Sequence, residues 1–262
     1  MTERLSDRLL ARVNGSRRGE VVAAEPGIAA GIDSAVAREW PVPVGTVTAR
    51  AGDGDRLASG TPLLEVRGSA ADLARAEDFI LGDLGVACGV ATNARAIRDA
   101  APAGLRVVCG GWKKLPAAMK GAVRDGLAAA GLDPRLLPGP FLYVDKNVVT
   151  LLGGLEAAVE AGRVLDAGPV SVQVTGADDA LVAGYAGAGV VMVDTGDLAD
   201  VVASDTALRE AGLRDAIQLA FAGGVDTGTL PAVATAGADI VDVGRAILAQ
   251  PLLDLRFVVD AR

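Results

Sequence analysis

Polar residues and glycine pairs directly follow short β-branched runs through the C-terminal part of this 262-residue chain. Lysine supplies a point charge for phosphate oxygens, and aspartate oxygens can bind Mg²⁺. Glycine pairs allow backbone N–H groups to approach an anion closely. These residue types favour an active site, and the segments that carry them are Cys109-Gly-Gly-Trp-Lys-Lys114, Asp145-Lys-Asn147, Gln173, Asp194, Ala222-Gly-Gly224 and Val243-Gly244.

The apolar runs before these segments must be the elements that position them. The runs are LRVV, FLYV, VSV, VVMV, IQLAF and DIVDV, and Ala-rich stretches with helical spacing follow most of them. Alternating strands and helices of this kind are typical of a (β/α) barrel. Because catalytic residues of such barrels collect at the carboxyl ends of the strands, the sequence predicts a TIM-type barrel over residues 96–251 with its site at that edge.

Residues 1–95 follow a different pattern and are predicted to form a separate α/β domain. The ranges 21–24, 45–51 and 62–67 are strand-like, with glycine-containing turns between them. Ser69-Ala-Ala-Asp72 resembles a capping sequence and precedes an apolar helix that we expect to run through Leu84. Residues 252–262 contain a strand-like run and are a candidate additional strand of this domain.

Composition limits the function classes. The net charge is −8 and the lysines form no run, so we expect no nucleic-acid partner. No apolar stretch reaches the roughly 18–20 residues of a membrane helix, and the first residues lack the apolar core of a signal peptide, so we expect a cytoplasmic protein without a membrane partner. The absence of histidine removes that residue from acid–base chemistry and metal ligation. Cys88 and Cys109 are predicted to be buried small hydrophobes.

Motifs in a fairly specific order cover most of the chain. Cys88-Gly-Val-Ala-Thr92, Gly111-Trp-Lys-Lys-Leu-Pro116 and Val144-Asp-Lys-Asn147 are similar to Ser-Gly-Ile-Ala-Thr, Thr-Arg-Lys-Thr-x-Pro and Ile-Lys-Asp-Asn-His. Val172-Gln-Val174, Val191-Met-Val-Asp194, Ala222-Gly-Gly-Val225 and Gly237-Ala-Asp-Ile-Val-Asp-Val-Gly244 are similar to Val-Glu-Val, Ile-Met-Leu-Asp, Ser-Gly-Gly-Ile and Gly-Val-Asp-x-Ile-Ser-x-Gly. The motifs to which these segments are similar are those of the quinolinate phosphoribosyltransferase family, the nicotinate-nucleotide pyrophosphorylases. The chain therefore resembles that family.

The resemblance implies a fold, an activity and an assembly. The fold is an open α/β sandwich domain at the N-terminus followed by an incomplete (β/α) barrel of TIM type. The activity is a glycosyl transfer, in which a 5-phosphoribosyl group moves from phosphoribosyl pyrophosphate to an aromatic ring nitrogen with Mg²⁺. The partners are small-molecule substrates and a second copy of the chain, since family members form homodimers or higher homo-oligomers with shared active sites.

The donor side of that reaction agrees with the strand-end residues. Lys113 and Lys146 follow the first and second predicted barrel strands and are predicted to be catalytic residues that hold pyrophosphate. Asp194 ends the fourth strand, where it is predicted to bind Mg²⁺ and to stabilise positive charge on the ribose. The predicted phosphate-binding residues are Gly223, Gly224 and Gly244. Taken singly, the lysines are better explained as solvated loop charges and Asp194 as a helix cap or a turn, but as a set at successive strand ends they favour an active site. For the glycines a phosphate loop is favoured over a simple turn.

The acceptor side departs from the family. The alignment puts Asp78 and Trp112 at arginine positions and Val148 at a histidine position, while Gln173 replaces an acidic residue. A dianion such as quinolinate would be repelled by this set, so we expect a neutral or cationic aromatic acceptor, although Trp112 is equally explained as a core or interface residue. The predicted substrate-binding residues are Asp78 of the partner subunit, Trp112, Lys114, Asp145, Asn147 and Gln173.

Three hypotheses follow from the sequence. The first is a phosphoribosyltransferase-like enzyme with an acceptor other than quinolinate. The second is a sugar-phosphate aldolase or lyase in which Lys113 or Lys146 forms a Schiff base. The third is a non-catalytic, ligand-binding paralogue that keeps the fold without the reaction.

Overall fold

A computed structural model describes residues 4–249 and 252–260, and of Trp112 it describes the backbone only. The chain divides by its contacts into two compact units. The first contains residues 1–95, 114–132 and 249–262, and the second contains residues 96–113 and 133–248. Residues 114–132, which the sequence pattern assigns to the barrel segment, therefore belong by their contacts to the first unit.

The elements alternate between strands and helices after residue 100. The strands are β1 Arg17–Ala23, β2 Gly27–Ile28, β3 Thr46–Ala49, β4 Arg56–Leu57, β5 Pro62–Gly68, β6 Arg106–Val108, β7 Leu142–Val144, β8 Val170–Val174, β9 Val190–Val193, β10 Gln218–Ala222, β11 Ile240–Asp242 and β12 Leu255–Val259. The helices are α1 Leu5–Leu10, α2 Ile32–Ala37, α3 Ala70–Ala100, α4 Lys120–Ala130, α5 Lys146–Leu151, α6 Leu155–Val164, α7 Ala177–Tyr185, α8 Leu198–Glu210, α9 Leu230–Thr235 and α10 Arg245–Leu248. Short 3₁₀ turns lie at Gly111–Lys114, Ala117–Met119 and Arg214–Ala216.

A four-stranded antiparallel sheet forms the centre of the first unit, with the strand order β12-β1-β5-β3. The C-terminal strand β12 pairs with β1, from Gly19 opposite Val259 to Ala23 opposite Leu255. Glu65 of this sheet is a buried carboxylate that is only 3% exposed. It forms ion pairs with three arginines at 2.5–2.8 Å. Hydrogen bonds from Arg50, Arg18 and Arg67 lower the pKa of Glu65 to about 2.

The long helix α3 begins at a reciprocal cap and packs one face on this sheet. The Ser69 N–H donates to Asp72 Oδ2 at 2.9 Å, and the Asp72 N–H donates to Ser69 Oγ at 3.2 Å. This confirms the predicted capping sequence. Leu73, Ile80 and Leu84 of the helix lie in one buried cluster with residues of β1 and β5. The apolar pattern predicts that this helix ends at Leu84, and that prediction is wrong, because the helix continues to Ala100.

The second unit is built on a six-stranded parallel sheet whose order is β6-β11-β10-β9-β8-β7. From β7 to β11, strands that follow each other in sequence pair with each other, as in a barrel, and β6 pairs with β11. Because β6 and β7 are the two edges of the sheet, the barrel is incomplete. All six predicted strands are present, and the predicted fold of an incomplete TIM-type barrel with an N-terminal α/β domain is confirmed.

The segment after α4 lies along the free edge of β6. Asp133 forms a parallel bridge with Val108, and the Cys109 N–H donates to the Asp133 carbonyl at 3.0 Å. Leu136 and Leu137 are buried in the interior of the sheet with Val108 and with residues of β9, β10 and β11. Apolar side chains from this segment therefore help to fill the interior next to the unpaired edge.

Two further expectations concern the whole chain. Every helix in the described residues is too short or too polar to span a bilayer. Cys88 and Cys109 are both free and fully buried, and burial raises the pKa of each thiol to about 12. The prediction that both cysteines act as small buried hydrophobes is confirmed.

Candidate active site

The carboxyl edge of the six-stranded sheet gathers polar side chains on its interior face. Side chains alternate between the two faces of a strand, so residues two apart share a face. Met192 and Ala222 pack in or against the interior cluster, which places Asp194 on the same face, and Ala222 pairs in register with Asp242. The interior-facing polar side chains at this edge are Tyr143, Gln173, Asp194 and Asp242.

Gln173 connects three groups of this edge through one amide. Its Nε2 donates to Asp194 Oδ2 at 2.7 Å, and its Oε1 accepts the Lys146 N–H at 3.0 Å. The Gln173 side chain also acts on the Tyr143 phenol, where it lowers the pKa against the larger opposing effect of burial. An ionised carboxylate only accepts hydrogen bonds, so the donation to Asp194 depends on an amide at position 173.

Lys113 lies over the ring of Tyr143. Its Nζ is 5.3 Å from the ring centroid, within the range of a cation–π contact. Lys113 is exposed and lies in the 3₁₀ turn Gly111–Lys114 that follows β6, whereas Tyr143 is half-buried in the middle of β7. The contact therefore joins the long cationic side chain of Lys113 to a ring that packs against the barrel interior.

The segment after β7 is a capped helix start. Asp145 Oδ1 accepts the N–H groups of Asn147 at 3.0 Å and Val148 at 3.1 Å, which makes Asp145 the N-cap of α5. Lys146 and Asn147 are exposed in the first turn of that helix. The substrate contacts predicted for Asp145 and Asn147, and the pyrophosphate contact predicted for Lys146, remain predictions.

The donor set at this edge suits Mg²⁺ bound together with a substrate. Asp194 is exposed, and Gln173 engages its Oδ2. Within residues 4–249 and 252–260, no three His, Cys, Asp or Glu side chains are close enough to hold a metal by themselves. Magnesium commonly takes one or two carboxylates and completes its shell with water and substrate phosphates, so Asp194 is the residue that would hold it.

Glycines bring neighbouring loops of this edge into backbone contact. A Cβ on Gly223, whose φ is +124°, would lie 2.5 Å from the Cα of Gly196 in the loop after β9. A Cβ on Gly111 after β6 would lie 3.1 Å from the Cα of Gly244 after β11. Gly224 also has a positive φ of +67°, and a Cβ there would meet open space among the described atoms. The glycine pair after β10 thus exposes backbone at the edge, as a phosphate loop requires.

Tyr143 and Asp242 lie in the site although the sequence pattern did not single them out. Asp242 Oδ1 accepts the Gly110 N–H at 2.7 Å and so joins the loops after β6 and β11. Burial, together with the carboxylates of Asp194, Asp242 and Asp145, raises the pKa of the Tyr143 phenol. Period-two alternation back from Asp145 and Gly244 marks both positions as interior-facing, and that signal was available in the sequence.

The sequence predicts that three further residues border the acceptor: Asp78, Trp112 and Lys114. Asp78 lies on α3 in the first unit, where it forms an exposed ion pair with Arg4. Lys114 is exposed and also belongs by its contacts to the first unit. The side chain of Trp112 lies outside the described part of the chain. The structure leaves the roles predicted for these three residues as predictions.

Together the fold and the site define an α/β-barrel protein with polar side chains and glycine loops at the carboxyl ends of its strands, the edge where such barrels carry their active sites. Residues 5–100 match the family model for the N-terminal domain of quinolinate phosphoribosyl transferase, and residues 90–258 match the model for its C-terminal domain. The chain belongs to the quinolinate phosphoribosyltransferase family. This is a family of phosphoribosyltransferase enzymes, which confirms the predicted class.

Individual relatives support the assignment. The chain is 29% identical over 233 residues to a probable carboxylating nicotinate-nucleotide pyrophosphorylase of Methanothermobacter thermautotrophicus, covering 86% of this chain and 82% of the relative. It is 34% identical over 151 residues to the corresponding protein of Mycobacterium leprae, covering 55% and 52%. The solved nicotinate-nucleotide pyrophosphorylase of Ehrlichia chaffeensis has a TM-score of 0.80 at 14% identity, covering 99% and 100% of the two chains. That likeness establishes the fold.

Proposed function

We propose that the protein transfers a 5-phosphoribosyl group from phosphoribosyl pyrophosphate to a nitrogen of an aromatic or heterocyclic acceptor other than quinolinate. The observation that carries the proposal is the connected set of Lys113, Tyr143, Gln173 and Asp194 at one barrel edge, beside open glycine loops. Family membership supplies the donor, and the geometry supports a retained donor side.

In the proposed reaction the acceptor nitrogen attacks C1′ of the ribose. Its lone pair forms the new C–N bond while the bond from C1′ to the pyrophosphate oxygen breaks, and that oxygen keeps the electron pair. Lys113 and Lys146 would meet the negative charge on pyrophosphate, and Asp194 would face the positive charge that develops on the ribose. The backbone after Gly223 and Gly244 would hold the 5-phosphate.

In the proposed reaction, Asp194 would bind Mg²⁺. When bound, the ion would supply charge neutralisation for the departing pyrophosphate. The amide of Gln173 keeps the Asp194 carboxylate in one orientation, because it donates to Oδ2 from a position that is itself fixed by the Lys146 N–H. This chain's own contribution is therefore to present one oriented carboxylate rather than a complete metal cage.

The proposed acceptor follows from charge at the interior edge. The carboxylates of Asp145, Asp194 and Asp242 all act on the phenol of Tyr143, and they would repel an acceptor that carries two carboxylates of its own. A neutral or cationic aromatic acceptor avoids that repulsion. The exposure of Lys113 and Lys146 speaks against the Schiff-base alternative, since imine-forming lysines are usually desolvated.

The proposal includes a cytoplasmic homodimer or higher homo-oligomer, in which Asp78 of the partner subunit borders the acceptor pocket. This assembly rests on the family resemblance. Mixing an Asp194→Ala variant with an Asp78→Arg variant tests it, because shared sites would restore one intact site per heterodimer.

Thermal unfolding with and without the donor tests the proposed function. A donor present at 100 times its Kd should stabilise the fold by about 2.7 kcal/mol and raise Tm by roughly 5–10 °C. The rise should require Mg²⁺, and quinolinate alone should leave Tm unchanged. The matched variant Asp194→Ala should lose the Mg²⁺-dependent part of the rise. An unchanged Tm of the natural protein with donor and Mg²⁺ would refute a retained donor site.

A further inference from the structure

One aromatic side chain touches the network on two sides. The ring of Tyr143 lies under Lys113 Nζ at 5.3 Å, and its strand partner Ser171 is two residues before Gln173, whose side chain acts on the Tyr143 phenol. Gln173 in turn holds Asp194 Oδ2 and the N–H that begins α5. Two of the candidate catalytic residues, Lys113 and Asp194, are thus linked through Tyr143 although they follow different strands.

Strand pairing and core packing hold the Tyr143 side chain in place. Its strand β7 pairs with β8 in register, which sets Tyr143 opposite Ser171, two residues before Gln173. The ring packs against the buried interior cluster, so it cannot follow the exposed lysine into solvent. A packed ring under a long flexible ammonium side chain lowers the number of positions that the ammonium samples.

We propose that Tyr143 is a positioning residue of this site, which holds Lys113 through its ring and orients Asp194 through its hydroxyl and Gln173. The inference deepens the proposed function and rests on it for the identity of the bound donor. The contacts themselves do not depend on that function. The ring arm should govern affinity for the pyrophosphate of the donor, and the hydroxyl arm should govern the dependence on Mg²⁺.

Two variants separate the arms. Tyr143→Phe keeps the ring and removes the hydroxyl, whereas Tyr143→Leu removes both. Phe141→Leu is the matched control, because Phe141 lies two residues earlier, packs against the same interior cluster and carries Arg135 at 5.0 Å over its ring. If Tyr143 were only a core residue, the two leucine variants would behave alike.

The first measurement needs no activity. The chain has four lysines, Lys113, Lys114, Lys120 and Lys146, so protein with ¹³C-labelled lysine gives few ε-methylene signals, and Lys113→Arg identifies the one from Lys113. Ring current from Tyr143 should shift the Lys113 signal upfield. Tyr143→Phe and Phe141→Leu should keep that shift, and Tyr143→Leu should abolish it. A Lys113 signal that is the same in the natural protein and in Tyr143→Leu would overturn the proposal.

The second measurement is calorimetric titration with phosphoribosyl pyrophosphate at several Mg²⁺ concentrations. Tyr143→Leu should weaken donor binding about fivefold, which corresponds to about 1 kcal/mol and is the size expected for a partly exposed cation–π contact. Tyr143→Phe should keep the donor Kd within about twofold at saturating Mg²⁺ and raise the Mg²⁺ concentration for half-maximal binding about threefold, a loss on the scale of one hydrogen bond. Equal constants for Tyr143→Leu and Phe141→Leu would contradict the positioning role. If the natural protein does not bind this donor, the proposed function fails, and the lysine signals still decide whether Tyr143 positions Lys113.

Discussion

Gln173 occupies the position of the acidic residue in the family motif Val-Glu-Val. The replacement puts a hydrogen-bond donor beside Asp194 where the motif has only an acceptor. A glutamate at this position would place a second negative charge beside Asp194. The amide instead donates to Asp194 Oδ2 at 2.7 Å and accepts the Lys146 N–H. The substitution that at first suggests a lost ligand therefore creates a fixed orientation for the carboxylate that remains.

Restoring the acidic residue tests that interpretation. In Gln173→Glu two carboxylates face each other, a repulsion of about 1–4 kcal/mol at 4 Å depending on screening. We expect a lower Tm than the natural protein in EDTA and a larger recovery on adding Mg²⁺, measured by thermal unfolding. Asn147→Asp is the control, because it adds the same charge to the first turn of α5, where a carboxylate is favoured. An identical Mg²⁺ response in Gln173→Glu and the natural protein would contradict the role of the amide.

The sequence predicted some of these residues and missed others for a physical reason. Lys113, Gln173 and Asp194 follow apolar runs and stand out as polar strand ends. Tyr143 lies inside the run FLYV, where an aromatic residue is expected in the core, and Asp242 lies inside DIVDV. Their place in the site follows from strand register, which brings Ala222 beside Asp242 and Tyr143 two residues before the cap at Asp145.

At the scale of elements, the loops of the barrel edge depend on glycines that let backbones touch. The loop after β10 meets the loop after β9 where Gly223 lies against Gly196. The periodic apolar runs were enough to predict all six strands, because each run is short, β-branched and followed by a turn signal. The burial of Leu136 and Leu137 beside the free edge of β6 is a tertiary contact that no local pattern specifies.

Gly223→Ala tests the contact between these two loops. The new Cβ would lie 2.5 Å from Gly196 Cα at a φ of +124°, so the loops must separate. We expect a loss of about 1–3 kcal/mol of stability and weaker binding of the phosphorylated donor. Thermal unfolding and donor titration measure the two effects. Gly176→Ala is the control, since Gly176 has an extended φ of 172° and open space for a Cβ. Equal behaviour of the two variants would show that the close approach at Gly223 has no consequence.

At the scale of the whole molecule, the chain matches the two domain models of one enzyme family over residues 5–100 and 90–258. No single sequence motif is decisive for the family, and the resemblance was predicted from the order of several motifs along the chain. Sequence order alone did not predict the unit to which residues 114–132 belong. This segment, which contains α4, makes its contacts with the first unit although it lies between β6 and β7 in the sequence. Membership in the family fixes the class of reaction, while the choice of acceptor depends on a few charged side chains around the barrel edge.

Pyrophosphate release, followed by ³¹P NMR, tests the central claim most directly. The natural protein is incubated with phosphoribosyl pyrophosphate, Mg²⁺ and one acceptor at a time, from quinolinate to neutral and cationic heteroaromatics and aryl amines. The account predicts no acceptor-dependent release with quinolinate and release with at least one neutral or cationic acceptor, which Asp194→Ala abolishes. Rapid release with quinolinate, accompanied by loss of a carboxylate as CO₂, would contradict it.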